Sequence, residues 1–99
     1  MKKELKDDME ISDDFDKTKK EATQKHIEIN GIKIDDYVKV SSKANNGKIE
    51  MMWYQVMKVN KKTIQGKLSN MPIYKQKIKP GDVISIKIAD IHLIGRYVA

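Results

Sequence analysis

The sequence predicts a mainly β protein: a small barrel, SH3-like or related, with a short N-terminal helix. Two observations carry this. From position 27 onward apolar residues sit in short, mostly alternating runs rather than at helical spacing. Turn-forming residues then interrupt those runs at close intervals: Asn30-Gly31, Asn45-Asn46-Gly47, Asn60-Lys61-Lys62 and Pro80-Gly81. Ninety-nine residues suffice for one domain.

Taken in order, the chain opens with a charged arm, residues 1–25. Its apolar anchors are Met1, Leu5, Met9, Ile11, Phe15 and Ala22, too few to offset the entropy of ordering. Ser12 is an N-cap candidate, with Asp13, Asp14 and Asp16 after it and lysines following at 17, 19, 20 and 25. Acids early and bases late suit the helix dipole, so the arm is expected to hold a short helix that frays or clips onto the body. Residues 26–99 are then the basic β-barrel domain. In 26–34, Ile27, Ile29, Ile32 and Ile34 flank Asn30-Gly31. This pattern predicts a type I′ hairpin, whose central residues need positive φ. Strands are expected at 37–43, 49–59, 63–68, 73–79, 83–88 and 92–98, with a helical turn near Ala89. The 49–59 run is apolar on both faces, so it should bend or bulge. An open sheet with the helix across one face is the competing architecture.

Charge is unevenly laid out. The whole chain has 20 basic and 14 acidic residues, a net +6. The acids crowd the first third, and none lies between Glu50 and Asp82. That interval holds Lys58, Lys61, Lys62, Lys67, Lys75, Lys77 and Lys79. A basic body behind an acidic arm points to an anionic partner. Arg96 is the one arginine, so the charge acts as mobile points rather than as base-reading forks. Cysteine is absent, which excludes disulfides and thiolate chemistry. No apolar run reaches membrane-span length and no signal-peptide core is visible. A cytoplasmic location, in a bacterial or phage-infected cell, is expected.

Gly47-Lys48-Ile49-Glu50-Met51-Met52-Trp53, then Gly66-Lys67-Leu68-Ser69-Asn70-Met71-Pro72, then Lys79-Pro80-Gly81-Asp82-Val83 with Asp90-Ile91, resembles the YegJ-like bacterial domain family of unknown function. Asp36-Tyr37-Val38-Lys39-Val40 resembles the first strand of some members. The likeness covers about residues 32–91. The chain departs from it at His92-Leu93-Ile94-Gly95-Arg96-Tyr97. The resemblance implies a β-rich fold and supplies no catalytic residue.

No catalytic constellation emerges. His26 and His92 are the two histidines, and nothing ties Ser41 or Ser42 to either. Asp35 and Asp36 would point to opposite faces of a strand. The arm's aspartates lack the glycine and terminal glutamate of a calcium loop, and no phosphate-binding glycine motif occurs. An enzyme, a metal site and a cofactor are therefore not expected. Lys75, Lys77 and Lys79 are spaced two apart, so an extended chain projects them from one side at about 7 Å intervals, near a phosphate repeat. Lys58, Lys61, Lys62 and Lys67 would extend that surface, and Tyr54 and Tyr74 could stack bases. Trp53 reads as core. A row of lysines also protects an edge strand against aggregation. The expected function is a non-enzymatic module that binds single-stranded nucleic acid or a nucleoprotein. The alternative is a phage or mobile-element inhibitor or adaptor directed at a host protein such as a defence nuclease.

Overall fold

The computed structural model describes residues 17–96. Helix α1 (Lys17–Asn30) precedes five strands: β1 (Asp36–Lys43), β2 (Ile49–Val59), β3 (Thr63–Leu68), β4 (Val83–Lys87) and β5 (Leu93–Arg96), with a 3-10 turn at Ile88–Asp90. The strands form one antiparallel sheet in the order β4-β3-β2-β1-β5. The protein is mainly β, as the alternation predicts. β4 and β5 are the two edges of an open sheet, which corrects the expected barrel. Gly66 allows the close pairing of β3 with its neighbours. A Cβ there would lie 2.9 Å from Tyr54 Cβ and 2.8 Å from Ile86 Cδ1.

One face of the sheet carries the core. Val38 and Val40 of β1, Met52, Tyr54 and Val56 of β2, Ile64 and Leu68 of β3 and Ile86 of β4 pack there with Ile27 and Ile91. β2 has the expected irregularity: its register with β3 shifts between Val56 and Lys58. This bulge lets a strand with apolar residues on both faces change its alternation. Trp53 is buried on the opposite face, where it pairs with Lys39 across the strands. The Lys39 ammonium lies 5.0 Å from the Trp53 ring centroid, a cation–π contact that matches a buried cation to an electron-rich surface.

The Asn30-Gly31 hairpin is replaced by the end of α1. Gly31 does take positive φ, 78°, but as a helix C-cap: its N–H donates to the Ile27 carbonyl at 2.7 Å. Of the four isoleucines read as one strand face, Ile27 is buried, whereas Ile29 is 73 % exposed and Ile34 is also exposed. Strong helix formers upstream (Lys, Glu, Ala, Gln) extend the helix up to the glycine, and the helix docks through Thr23 and Ile27, its buried residues. α1 runs continuously across positions 25 and 26. Gln24 fastens it, with Nε2 donating to the carbonyls of Ile88 and Ile91, each at 2.9 Å. Ser12 and the acids at 13, 14 and 16 lie outside the described residues.

Candidate nucleic-acid interface

Residues 69–82 join β3 to β4, and most of the candidate site lies on them. Residues 73–79, expected as a strand, pair with no strand. The backbone bends at Ile73, Tyr74 and Lys77, which corrects the expected strand, although burial still alternates strictly. Pro72, Tyr74, Gln76 and Ile78 are half-buried, while Met71, Ile73, Lys75, Lys77 and Lys79 are exposed. This segment is a strap, held by side chains where a strand would be held by a ladder.

Its central fastener is Glu50, the acid that bounds the acid-free interval. Glu50 is buried, and its carboxylate accepts hydrogen bonds from the Ile73 N–H (2.6 Å), the Tyr74 N–H (3.2 Å) and Gln76 Nε2 (2.9 Å). Ser42 Oγ donates to Gln76 Oε1 at 2.7 Å. The strap's root is fixed by Asn70, whose Oδ1 accepts from the Trp53 N–H at 2.7 Å. At its far point the Lys75 carbonyl accepts from the Asn45 N–H. It returns through the Lys79–Asp82 turn, in which Asp82 Oδ2 accepts from the Lys79 N–H at 2.9 Å. A buried carboxylate facing backbone N–H groups forms stronger, charge-assisted bonds, and the Glu50 charge is thereby kept off the surface.

The sequence-derived lysines separate into groups. Lys75 and Lys77 lie beside the turn between β1 and β2, as the Asn45 contact shows. Lys58, Lys61 and Lys62 surround the β2–β3 turn, at the opposite end of an eleven-residue strand. Roughly 3.3 Å per residue separates the two ends by on the order of 30 Å. Lys67 follows Gly66 and precedes Leu68, both buried, so it projects from the other face of the sheet. The seven lysines therefore do not form one surface. The strap instead gathers Lys75 and Lys77 with Lys43 and Lys48, two lysines outside the interval that sequence reasoning had singled out. Lys48 Nζ lies 5.8 Å from the Tyr74 ring centroid. Tyr74 is half-exposed at this site, whereas Tyr54 is only 2 % exposed, with its ring in the core and closed to a stacking base. The sequence hint to Lys43 and Lys48 is their position on either side of the Asn-Asn-Gly turn. Only the return path of the strap brings that turn to Lys75.

A cleft of about 290 Å³ opens under the strap, lined in part by Lys43, Lys77, Tyr54 and Ile84. Burial pushes the Tyr54 hydroxyl above its ordinary pKa. Ser42, one of the candidate hydroxyls, is engaged with Gln76, and His26 Nδ1 faces Asn30 Nδ2 at 3.2 Å. No group of three or more His, Cys, Asp or Glu side chains suited to a metal ion occurs among the described residues. Among them, too, no helix is long and apolar enough to cross a membrane.

A helix-backed open antiparallel sheet with a basic strap across one end defines a class of small, mainly β domain. Residues 9–93 match the family described as "Uncharacterized protein conserved in bacteria (DUF2314)", and the chain belongs to that family. Neither the curated proteins nor the solved structures give a match.

Proposed function

We propose that this chain is a non-enzymatic basic binding module that engages single-stranded nucleic acid, free or within a nucleoprotein, through its strap. The observation that carries this reading is the exposed row of Lys75, Lys77 and Lys79, presented by a strap whose acidic anchor, Glu50, is turned inward. Lys43 and Lys48 widen the positive field at one end. The attraction is to backbone phosphate rather than to base edges. Within the DUF2314 family we read the chain as YegJ-like, on the segments around Trp53, Pro72 and Asp82.

The test is the salt dependence of binding to a thymidine oligonucleotide. Changing Lys75, Lys77 and Lys79 together to Gln should weaken binding and make the slope of log affinity against log salt shallower by roughly two units, at ~0.7 per phosphate contact. The same change at Lys58, Lys61 and Lys62 should have the smaller effect. Absence of salt-sensitive binding by the unaltered protein refutes the proposal.

A second reading, a protein-directed inhibitor or adaptor, is favoured by Met71 and Ile73. These are 74 % and 79 % exposed, on the same outward row as the lysines. Two neighbouring apolar side chains on a fastened segment suit the centre of a protein interface, which keeps its affinity as salt rises.

A further inference from the structure

The geometry points to the cleft beneath the strap as a binding pocket for one nucleoside monophosphate unit, either a free mononucleotide or the terminal nucleotide of a strand. Its size, about 290 Å³, sits near the lower end of ligand pockets, and so suits one ring system with one charged group. Its lining divides chemically. Ile78 and Ile84 supply an apolar wall for a base face, while Lys43 and Lys77 bring two cations for a phosphate and Asn45 adds an amide.

The Tyr54 hydroxyl supplies the second, independent support. Tyr54 lines the cleft; its ring is buried, while its hydroxyl is not among the buried polar atoms left without a partner and so reaches solvent at the cleft. There it can exchange a water for a ligand oxygen or ring nitrogen. With its pKa raised by burial, the hydroxyl remains a donor throughout the neutral range. Ser42, bonded to Gln76, and Gln76, bonded in turn to Glu50, give the wall a fixed shape before any ligand arrives. The larger groove along α1, about 540 Å³, lacks these features. It mixes both signs of charge, and its Gln24 is committed to the Ile88 and Ile91 carbonyls.

The inference rests on the polyanion reading for its ligand class, since Lys77 serves both. The full chain would be titrated with adenosine monophosphate, thymidine monophosphate and inorganic phosphate while its amide nitrogen–proton resonances are followed. Either nucleotide should shift Ser42, Asn45, Gln76, Lys77 and Ile84, and phosphate alone should shift them far less. Tyr54→Phe keeps the ring and removes the hydroxyl, so nucleotide binding should weaken at least fivefold. Asn45→Asp, on an exposed turn, should weaken it at least as much by setting a negative charge at the mouth. Silence toward millimolar nucleotide overturns the pocket, as does equal response to phosphate or unchanged affinity in both variants. A thymidine 12-mer with a 5′-phosphate, compared with its 5′-hydroxyl form, separates the two sources. A tenfold preference for the phosphate assigns strand ends, and equal affinity assigns the free nucleotide. The double variant Lys75→Gln, Lys79→Gln keeps Lys77. If mononucleotide binding persists while no 12-mer binds even the unaltered protein, the strap proposal falls and the pocket stands.

Discussion

Replacing Glu50 by Ala removes the fastener of the strap, and the structure sets the scale of the loss. Three donors lose their acceptor: the N–H groups of Ile73 and Tyr74 and the amide of Gln76, at 2.6, 3.2 and 2.9 Å. Hydrogen bonds to a charged group are each worth about 1.5–3 kcal/mol, which as a simple sum would approach the whole stability of a small domain, roughly 5–15 kcal/mol. The sum overstates the effect for two reasons. Ile73 is exposed and Tyr74 half-exposed, so water can reach both N–H groups once the carboxylate is gone. The loss is also limited to what docking the strap contributes, because the sheet ladder from β4 to β5 does not pass through it. An expected destabilisation of about 2–4 kcal/mol follows, and it would lower the urea midpoint by about 1 M or more at a slope of ~1–3 kcal/mol per molar. Urea unfolding measures the global change. Amide hydrogen exchange should localise it, with faster exchange at Ile73, Tyr74 and Gln76 and little change in β1. Glu50→Gln keeps one carbonyl acceptor and should fall between the two. A loss below about 1 kcal/mol with unchanged exchange at Ile73 and Tyr74 would refute the idea that this carboxylate holds the strap.

Gly66→Ala places a methyl 2.8 Å from Ile86 Cδ1 and 2.9 Å from Tyr54 Cβ. Ile86 can yield, but Tyr54 Cβ is fixed to its own strand, so urea unfolding should show a loss of about 1–3 kcal/mol. Gly31→Val meets no atom within 4 Å, but its φ of 78° strains a β-branched residue, and the melting midpoint should fall by the equivalent of more than ~1 kcal/mol. Tyr54 has a folded-state pKa raised by burial, so above pH ~10 the unfolded chain releases its proton first. The stability that depends on this proton is complete below that pH and declines as pH rises through the folded value. Stability curves from pH 9 upward should therefore fall more steeply for the unaltered protein than for Tyr54→Phe, and parallel curves would contradict the burial argument.

Much of the sheet was legible in the residues because alternation and turn chemistry agree there. Strands at 49–59 and 63–68 follow from Ile, Met, Trp and Val runs bounded by Asn-Gly and Asn-Lys turns. The segment Ile27 to Ile34 misled because Asn-Gly between isoleucines serves a hairpin and a helix end equally well at the level of local pattern. Both put a glycine at positive φ, and only the docking of Ile27 with the fastening by Gln24 decides between them. The alternation at 73–79 predicts a strand, but the segment is a bent strap whose partner is a side chain. A strap held by Glu50 has the same period as a strand held by a ladder, so periodicity does not tell them apart. The candidate site was partly legible for the same reason. The spacing of Lys75, Lys77 and Lys79 gives their common side. The distance of Lys58, Lys61 and Lys62 from them depends on which end of β2 each turn occupies.

The order of the strands bears on how the molecule opens. β1 to β4 are a meander, in which each strand pairs with its neighbour in sequence. The unit that breaks this locality is the pair formed by α1 and β5. β5 returns across the chain to lie on β1, and α1 is tied through Gln24 to the residues just before it. Local pairings form early and close short loops, whereas this last joint must close a loop of more than 60 residues. A sub-global opening that releases α1 and β5 together leaves the strand pairings of the meander in place, but it withdraws Ile27 and Ile91 from the core on which Tyr54 and the strap's Ile78 also pack. The strap and the α1–β5 joint are then coupled through that shared core, and a ligand held by the strap should protect β2 and the strap from exchange most and α1 less.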